Sequence, residues 1–140
     1  MRDRKIRVIF LCCHNSVTSQ MAEAFLRRYG GTEFEVYSAG LQPREIHPLT
    51  IKVMEEVGID LTDHSSEPLR KYWGKMLFDC LVIMCEKADR ECSIFPGVTE
   101  RLVWSFDDPG TIYMPVAAVQ ATIKCVTMVK YKLVRWNLLR

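Results

Sequence analysis

The sequence has no apolar run approaching the about 20 residues of a membrane span, no internal repeat and no low-complexity linker. Charge of one sign is also lacking. The formal net charge is +2, which argues against a dedicated nucleic-acid or membrane surface. Histidine is scarce, with three residues at positions 14, 47 and 64, and none is placed to act as the base of a Cys/His couple. The charged start Met1-Arg2-Asp3-Arg4-Lys5 leads into an apolar stretch that is short and runs straight into cysteines, so it reads as a first strand rather than a signal peptide. A cytoplasmic location is the expectation. What is present is a chain of 140 residues, 49% hydrophobic, long enough for a sizeable core and expected as one domain spanning 1–140. Six cysteines stand at 12, 13, 80, 85, 92 and 125. In a reducing compartment these are packing residues, metal ligands or reactive thiols rather than a disulfide framework. Cys80 and Cys125 lie in apolar stretches and are expected in the core.

Apolar patterning predicts strands alternating with helices. Strands are expected over 6–11, 33–38, 78–84 and 101–106, and helices over 19–29, 49–57, a short polar stretch 86–92, and a long C-terminal stretch 115–140. The last has an apolar stripe at Val116, Val119, Ile123, Val126, Val129 and Leu133. Residues 59–68 read as an exposed connection and 69–77 as weakly helical. Alternation of this kind implies an α/β architecture, three layers around a central, mostly parallel sheet. Ligands bind such sheets beyond the C-terminal strand ends. Cys12, Cys85 and the pair Asp107-Asp108 each follow a predicted strand directly, which places three reactive positions on one edge.

The stretch Ile6 to Glu23 joins a buried strand to a helix through a polar loop that opens on a thiol. Backbone N–H groups converge in such a loop, and the helix start adds partial positive charge. Both effects are expected to lower the thiol pKa. The loop residues Cys13, His14, Asn15, Ser16, Val17, Thr18 and Ser19 are therefore candidates for holding an anion beside Cys12. Cys85 and Cys92 are separated by six residues. That gap is long for a zinc pair, and no histidine lies close in sequence.

Phe10-Leu11-Cys12-Cys13-His14-Asn15-Ser16-Val17-Thr18-Ser19-Gln20-Met21-Ala22-Glu23 resembles the active-site segment of the low-molecular-weight protein tyrosine phosphatase superfamily. It is most similar to the branch of thioredoxin-coupled arsenate reductases, whose segment reads F-L-C-T-G-N-S-C-R-S-Q-M-A-E. The similarity continues through Val36-Tyr37-Ser38-Ala39-Gly40, Glu56-Val57-Gly58-Ile59-Asp60-Leu61 and Trp104-Ser105-Phe106-Asp107-Asp108-Pro109. The Cys85/Cys92 spacing is that of the reductase branch and is absent from the phosphatase branch. The resemblance implies that Cys12 attacks arsenate and that Asp108, immediately before proline, is the general acid. It implies that Cys85 then attacks Cys12 to release arsenite, and that Cys92 moves the disulfide to Cys85–Cys92 for reduction by thioredoxin. It implies a potassium site at Asn15, Glu23, Ser38 and Glu67, with no tightly bound cofactor. The expected partners are an arsenate- or phosphate-like oxyanion and thioredoxin, with neither nucleic acid nor membrane, and the chain is expected to act as a monomer.

The loop departs from the C-x5-R-S form of the family. Thr18 stands where an arginine would grip two oxyanion oxygens. His14 stands where the family has a conformationally free glycine, Val17 where it has a further cysteine, and Cys13 is an additional thiol. Three readings stay open on these residues. One is a working reductase with its cation supplied from elsewhere, for example Arg44. The others are a redox or anion-binding relative acting on a different substrate, and a catalytically weak homologue that binds an anion or a protein partner. The main alternative enzyme is a tyrosine-phosphatase-like hydrolase.

Overall fold

The computed structural model describes residues 4–15, 17–104, 127, 131 and 135. Four strands, β1 (Ile6–Cys12), β2 (Phe34–Gly40), β3 (Phe78–Ile83) and β4 (Val98–Val103), form one sheet in the order β2-β1-β3-β4. Every neighbouring pair is parallel, as the alternating pattern implied. The chain leaves β1 toward β2 on one side and later returns to β3 on the other. The C-terminal end of β1 is therefore the point where connections diverge, the place such sheets offer a ligand.

The faces of the sheet are set by the two-residue alternation of strands. Ile6, Val8, Phe10 and Cys12 of β1 join Cys80 and Val82 of β3 on one face, against Met21, Phe25 and Leu26 of α1 (Thr18–Gly30) and Val53 and Met54 of α2 (Pro48–Glu56). Ile9 and Leu11 join Leu81 and Ile83 on the other, against Ala88 of α3 (Glu86–Glu91), with Cys92 and Phe95 beyond it. Cys80 is fully buried, as expected. Asp79, a carboxylate inside an otherwise apolar strand, accepts hydrogen bonds from both terminal nitrogens of Arg4 and from the Arg7 N–H, all within 3.0 Å. That coverage compensates its burial.

Two expectations are corrected. The fourth strand begins at Val98, three residues before the predicted start. Every residue of it is at least partly exposed, so Thr99 and Glu100 are accommodated at the sheet edge and the apolar pattern places its start too late. Residues 59–68 are not a free connection: Ile59 and Leu61 enter the core, and the polar residues after them dock on the first loop. The weak helical tendency of 69–77 becomes one 3-10 turn, Leu69–Lys71. The long C-terminal helix lies outside the described residues except for Thr127, Tyr131 and Arg135, which are helical. No helix among the described residues is long and apolar enough to cross a membrane.

Candidate active site

Cys12 is the last residue of β1, and α1 starts six residues later at Thr18. The loop between them is held open by its carbonyls, which turn outward. The N–H groups of Leu41, Gln42 and Arg44 donate to the carbonyls of Cys12, Cys13 and His14 at 3.2, 2.8 and 2.9 Å. The Ser66 hydroxyl donates to the His14 and Asn15 carbonyls. With these acceptors satisfied from outside, the loop N–H groups are left to converge on the sulfur. The N–H of Asn15 donates to Cys12 Sγ at 3.1 Å. Gly40 packs against this loop so closely that a Cβ there would lie 2.8 Å from the Asn15 nitrogen and the His14 carbonyl carbon.

Among the described non-glycine residues the one at positive φ is Asn15, at 52°. Asparagine tolerates that left-handed region better than most residues. Histidine at 14 has no positive φ, so the substitution of glycine at 14 does not strain the turn. The Asn15 side chain organises its neighbours. Its Oδ1 accepts from the Glu67 N–H at 2.9 Å and from Gln20 Nε2 at 3.0 Å. Its Nδ2 donates to Ser19 Oγ at 2.7 Å. Ser19 Oγ also meets Cys12 Sγ at 2.8 Å, within reach to donate to it as the thiolate. Gln20 carries no role in the sequence reading, yet it also donates to the Ser65 carbonyl and meets His64 Nδ1 at 3.2 Å. Like Thr18 and Ser19 before it, Gln20 is a buried polar residue in the first turn of α1.

Burial pushes the Cys12 thiol above its ordinary value, against the hydrogen bond of Ser19 and the backbone N–H groups of Asn15, Ser19 and His14, which pull it down. The expected depression of this pKa is therefore not met. Donor groups alone do not offset the desolvation of the sulfur, and Thr18, buried at the start of α1, brings no charge. Val17 precedes the helix without a side-chain cap, and the Ser19 N–H of the first turn points to Cys12 Sγ, so the helix start faces the place an oxyanion would take. The Arg44 side chain is exposed and lines a groove of about 540 Å³ with Ile46, Ile51, Leu61 and His64.

Cys13 belongs to this loop but not to its interior. Its Sγ lies 2.9 Å from Cys85 Sγ. Cys85 precedes α3 and accepts from the Ala88 N–H at 3.4 Å. Cys92 follows α3 and is buried. Its N–H donates to the Ala88 carbonyl, and its carbonyl accepts from Arg101 Nη1 at 2.7 Å. Arg101 also reaches Asp89 Oδ1 at 2.9 Å. Burial pushes the Cys92 thiol up as well. Asp108 and Ser16 lie outside the described residues.

The four residues of the implied potassium site pair off. Ser38 Oγ donates to Glu23 Oε1 at 2.6 Å, and Glu23 Oε2 faces Arg27 at 3.3 Å and His64 at 3.5 Å. Asn15 meets Glu67 through the latter's backbone, while the Glu67 carboxylate turns to Ser65 and Lys71. These oxygens already have donors or cations as partners and do not present an open coordination shell, so the set does not fit the ion. Among the described residues no group of three His, Cys, Asp or Glu is placed to hold a metal.

The family model described as low molecular weight phosphotyrosine protein phosphatase matches residues 7–108. The chain belongs to that family. Within it, the chain is 38% identical over 105 residues to arsenate reductase 2 of Staphylococcus haemolyticus, covering 75% of this chain and 79% of that protein. It is 39% identical over 107 residues to an arsenate reductase of Bacillus cereus, covering 76% and 79%. Among solved structures it resembles an arsenate reductase in the phosphate binding state, with a TM-score of 0.76 and 28% identity over 91% of this chain and 98% of that one. It also resembles the thioredoxin-dependent arsenate reductase of Corynebacterium glutamicum, with a TM-score of 0.75 and 26% identity over 98% of this chain and 65% of that one.

Proposed function

We propose that this protein is an arsenate reductase that begins with attack by Cys12. The observation that carries the reading is Cys12 Sγ held among Ser19 Oγ and the Asn15 N–H at the start of α1, with Cys85 at the end of the adjacent strand. The relatives named arsenate reductases support the substrate. An oxyanion seated over the loop accepts from its N–H groups and from the first turn of α1. The Cys12 thiolate forms a bond to arsenic while one oxygen departs as water, protonated by Asp108. The Cys85 thiolate then attacks Cys12 Sγ. The sulfur–arsenic bond breaks, its electron pair stays on arsenic, and arsenite leaves as a Cys12–Cys85 disulfide forms. A thioredoxin-class dithiol returns the thiols at the end of the cycle.

Ser19 serves this sequence twice, donating to the thiolate before attack and to the departing sulfur afterwards. Arg44 is tied to the loop through its main chain, while its side chain lines the groove with Ile46, Ile51, Leu61 and His64. It does not give the two-pronged grip that an arginine at position 18 would give. The weak charge stabilisation disfavours phosphoryl hydrolysis, which depends on it.

The test is arsenite release in the presence of thioredoxin, thioredoxin reductase and NADPH. Turnover is expected in the native protein and none in Cys12→Ser. Hydrolysis of an aryl phosphate without arsenite release would replace the reading with a phosphatase.

A further inference from the structure

The thiol nearest to Cys85 is one that the relay described above does not use. We propose that Cys13 is the resolving thiol for Cys85, so that the disulfide comes to rest as Cys13–Cys85. The inference builds on the proposed arsenate chemistry, which supplies the oxidant, but its geometry stands apart from it.

The register of the sheet makes the pairing. Leu11 of β1 sits opposite Ile83 of β3. The Met84 N–H donates to the Leu11 carbonyl at 2.8 Å, carrying the ladder past the strand ends. Two residues further on, Cys13 stands across from Cys85. Parallel neighbours run about 4.8 Å apart, inside the Cα separation of about 4.4–6.8 Å that a disulfide spans. Alternation turns both side chains to the face of Leu11 and Ile83, where Cys85 packs and where Cys92 is buried. Cys12 points to the opposite face, among the residues that meet α1, so the Cys12–Cys85 bond requires the end of β1 to turn, whereas a Cys13–Cys85 bond does not. The Cys13 and Cys85 sulfurs, at 2.9 Å, need to close by less than about 1 Å to reach a bond of about 2.05 Å.

The competing thiol is less well placed. Cys92 is 2% exposed, and Arg101 holds its carbonyl and the side chain and carbonyl of Asp89 together. To reach Cys85, that segment has to give up these bonds. Cys13 moves only its side chain. In the reduced protein, burial and then the hydrogen bond and charge of Cys85 push the Cys13 thiol up to about 12, so Cys13 keeps its proton until Cys85 has reacted. Once Cys85 has entered a disulfide its charge is gone, and that part of the hold on the Cys13 proton goes with it.

The step balances without a further oxidant. In the Cys12–Cys85 disulfide left by arsenite release, the Cys13 thiolate attacks Cys85 Sγ. The Cys13–Cys85 bond forms, the Cys12–Cys85 bond breaks, Cys12 leaves as thiolate, and the proton of Cys13 passes to solvent. A dithiol reductant then opens Cys13–Cys85 at a half-buried site while Cys12 is already free for the next oxyanion.

The experiment maps disulfides in the full-length protein by non-reducing digestion and mass spectrometry after one equivalent of arsenate. Trypsin leaves Cys12 and Cys13 on one peptide, so fragmentation of the linked peptide assigns the bridge. The native protein is expected to give Cys13–Cys85 as the main species with Cys92 free. Cys13→Ser is expected to give Cys12–Cys85 and to slow thioredoxin-driven arsenite release about tenfold. Cys85–Cys92 in the native protein with Cys13 free overturns the inference and leaves the reductase reading intact. If arsenate leaves every thiol reduced, the reductase reading fails. The diazene oxidant diamide, which takes two electrons and two protons from a thiol pair, then decides the pairing in Cys12→Ser: a Cys13–Cys85 bridge upholds it, and a free Cys13 overturns it.

Discussion

The two ends of the site are built differently. The loop after β1 is an interlocked polar framework, with Asn15, Gln20, Ser66 and the 41–44 segment each satisfying a named loop group. The segment after β3 is a six-residue helix with one buried residue of its own, Ala88, and it is fastened by Arg101 reaching across from β4. The first end is held by many bonds from several neighbouring segments and lacks only charge. The second has thiols in abundance, and its conformation rests on a few bonds from one neighbour. An oxyanion site needs fixed donors because preorganisation is what stabilises developing charge. A thiol relay needs sulfurs that can exchange partners, and so tolerates a looser hold.

Adding the missing charge is the strongest way to test that contrast. Thr18→Arg is expected to raise the rate of arsenite release by about 10²–10³, the scale of one strong transition-state donor, and to leave the disulfide pattern unchanged. Steady-state kinetics and peptide mapping check the two halves. No gain would mean that the loop's deficiency lies elsewhere than position 18.

Protonation offers the next test. Burial raises the Cys12 pKa, so its reactive thiolate is a minor species at neutral pH and grows as pH rises. Alkylation of Cys12 by iodoacetamide is expected to climb about tenfold per pH unit between about pH 7 and about pH 9, with no plateau. In Thr18→Arg the added cation favours the thiolate, and the curve moves to lower pH. A flat profile in the native protein would show that the loop lowers this pKa after all.

The second end is probed by releasing its fastener. Arg101→Ala removes hydrogen bonds to the Cys92 and Asp89 carbonyls and costs about 1.5 kcal/mol locally. Labelling of Cys92 is expected to quicken about tenfold, and part of the disulfide to shift to Cys85–Cys92. Unchanged labelling would place the restraint on Cys92 in core packing instead.

The last test addresses the rigid end. Gly40→Ala puts a methyl 2.8 Å from the loop backbone and costs about 1–3 kcal/mol as overpacking does. Thermal unfolding measures the loss, and slower arsenite release accompanies it because His14 and Asn15 are pushed from position. A neutral outcome would mean that the loop has slack, contrary to its description as an interlocked frame.

Much of this was legible in the residues. The apolar run 6–11 and the helical spacing of Met21, Ala22, Phe25 and Leu26 are strong local patterns, and both elements form as expected. The stretch 59–68 misled because its polar residues read as solvent-facing, whereas Ser66 and the Glu67 N–H spend their hydrogen bonds on the loop. The implied potassium set illustrates the same limit. Four oxygen-bearing residues come near one another, yet Arg27, His64 and Lys71 reach two of their carboxylates.

By itself the sequence determined the alternating strands and helices, a thiol at the entry to an anion loop, the two thiols after the third strand, and the absence of an arginine at position 18. These follow from local periodicity and residue identity. Only the tertiary structure decided that Cys13 faces Cys85 while Cys12 turns away, because register and strand order join residues 72 positions apart. It also decided the direction of the Cys12 pKa, since desolvation depends on everything packed around the sulfur and the donors alone do not offset it.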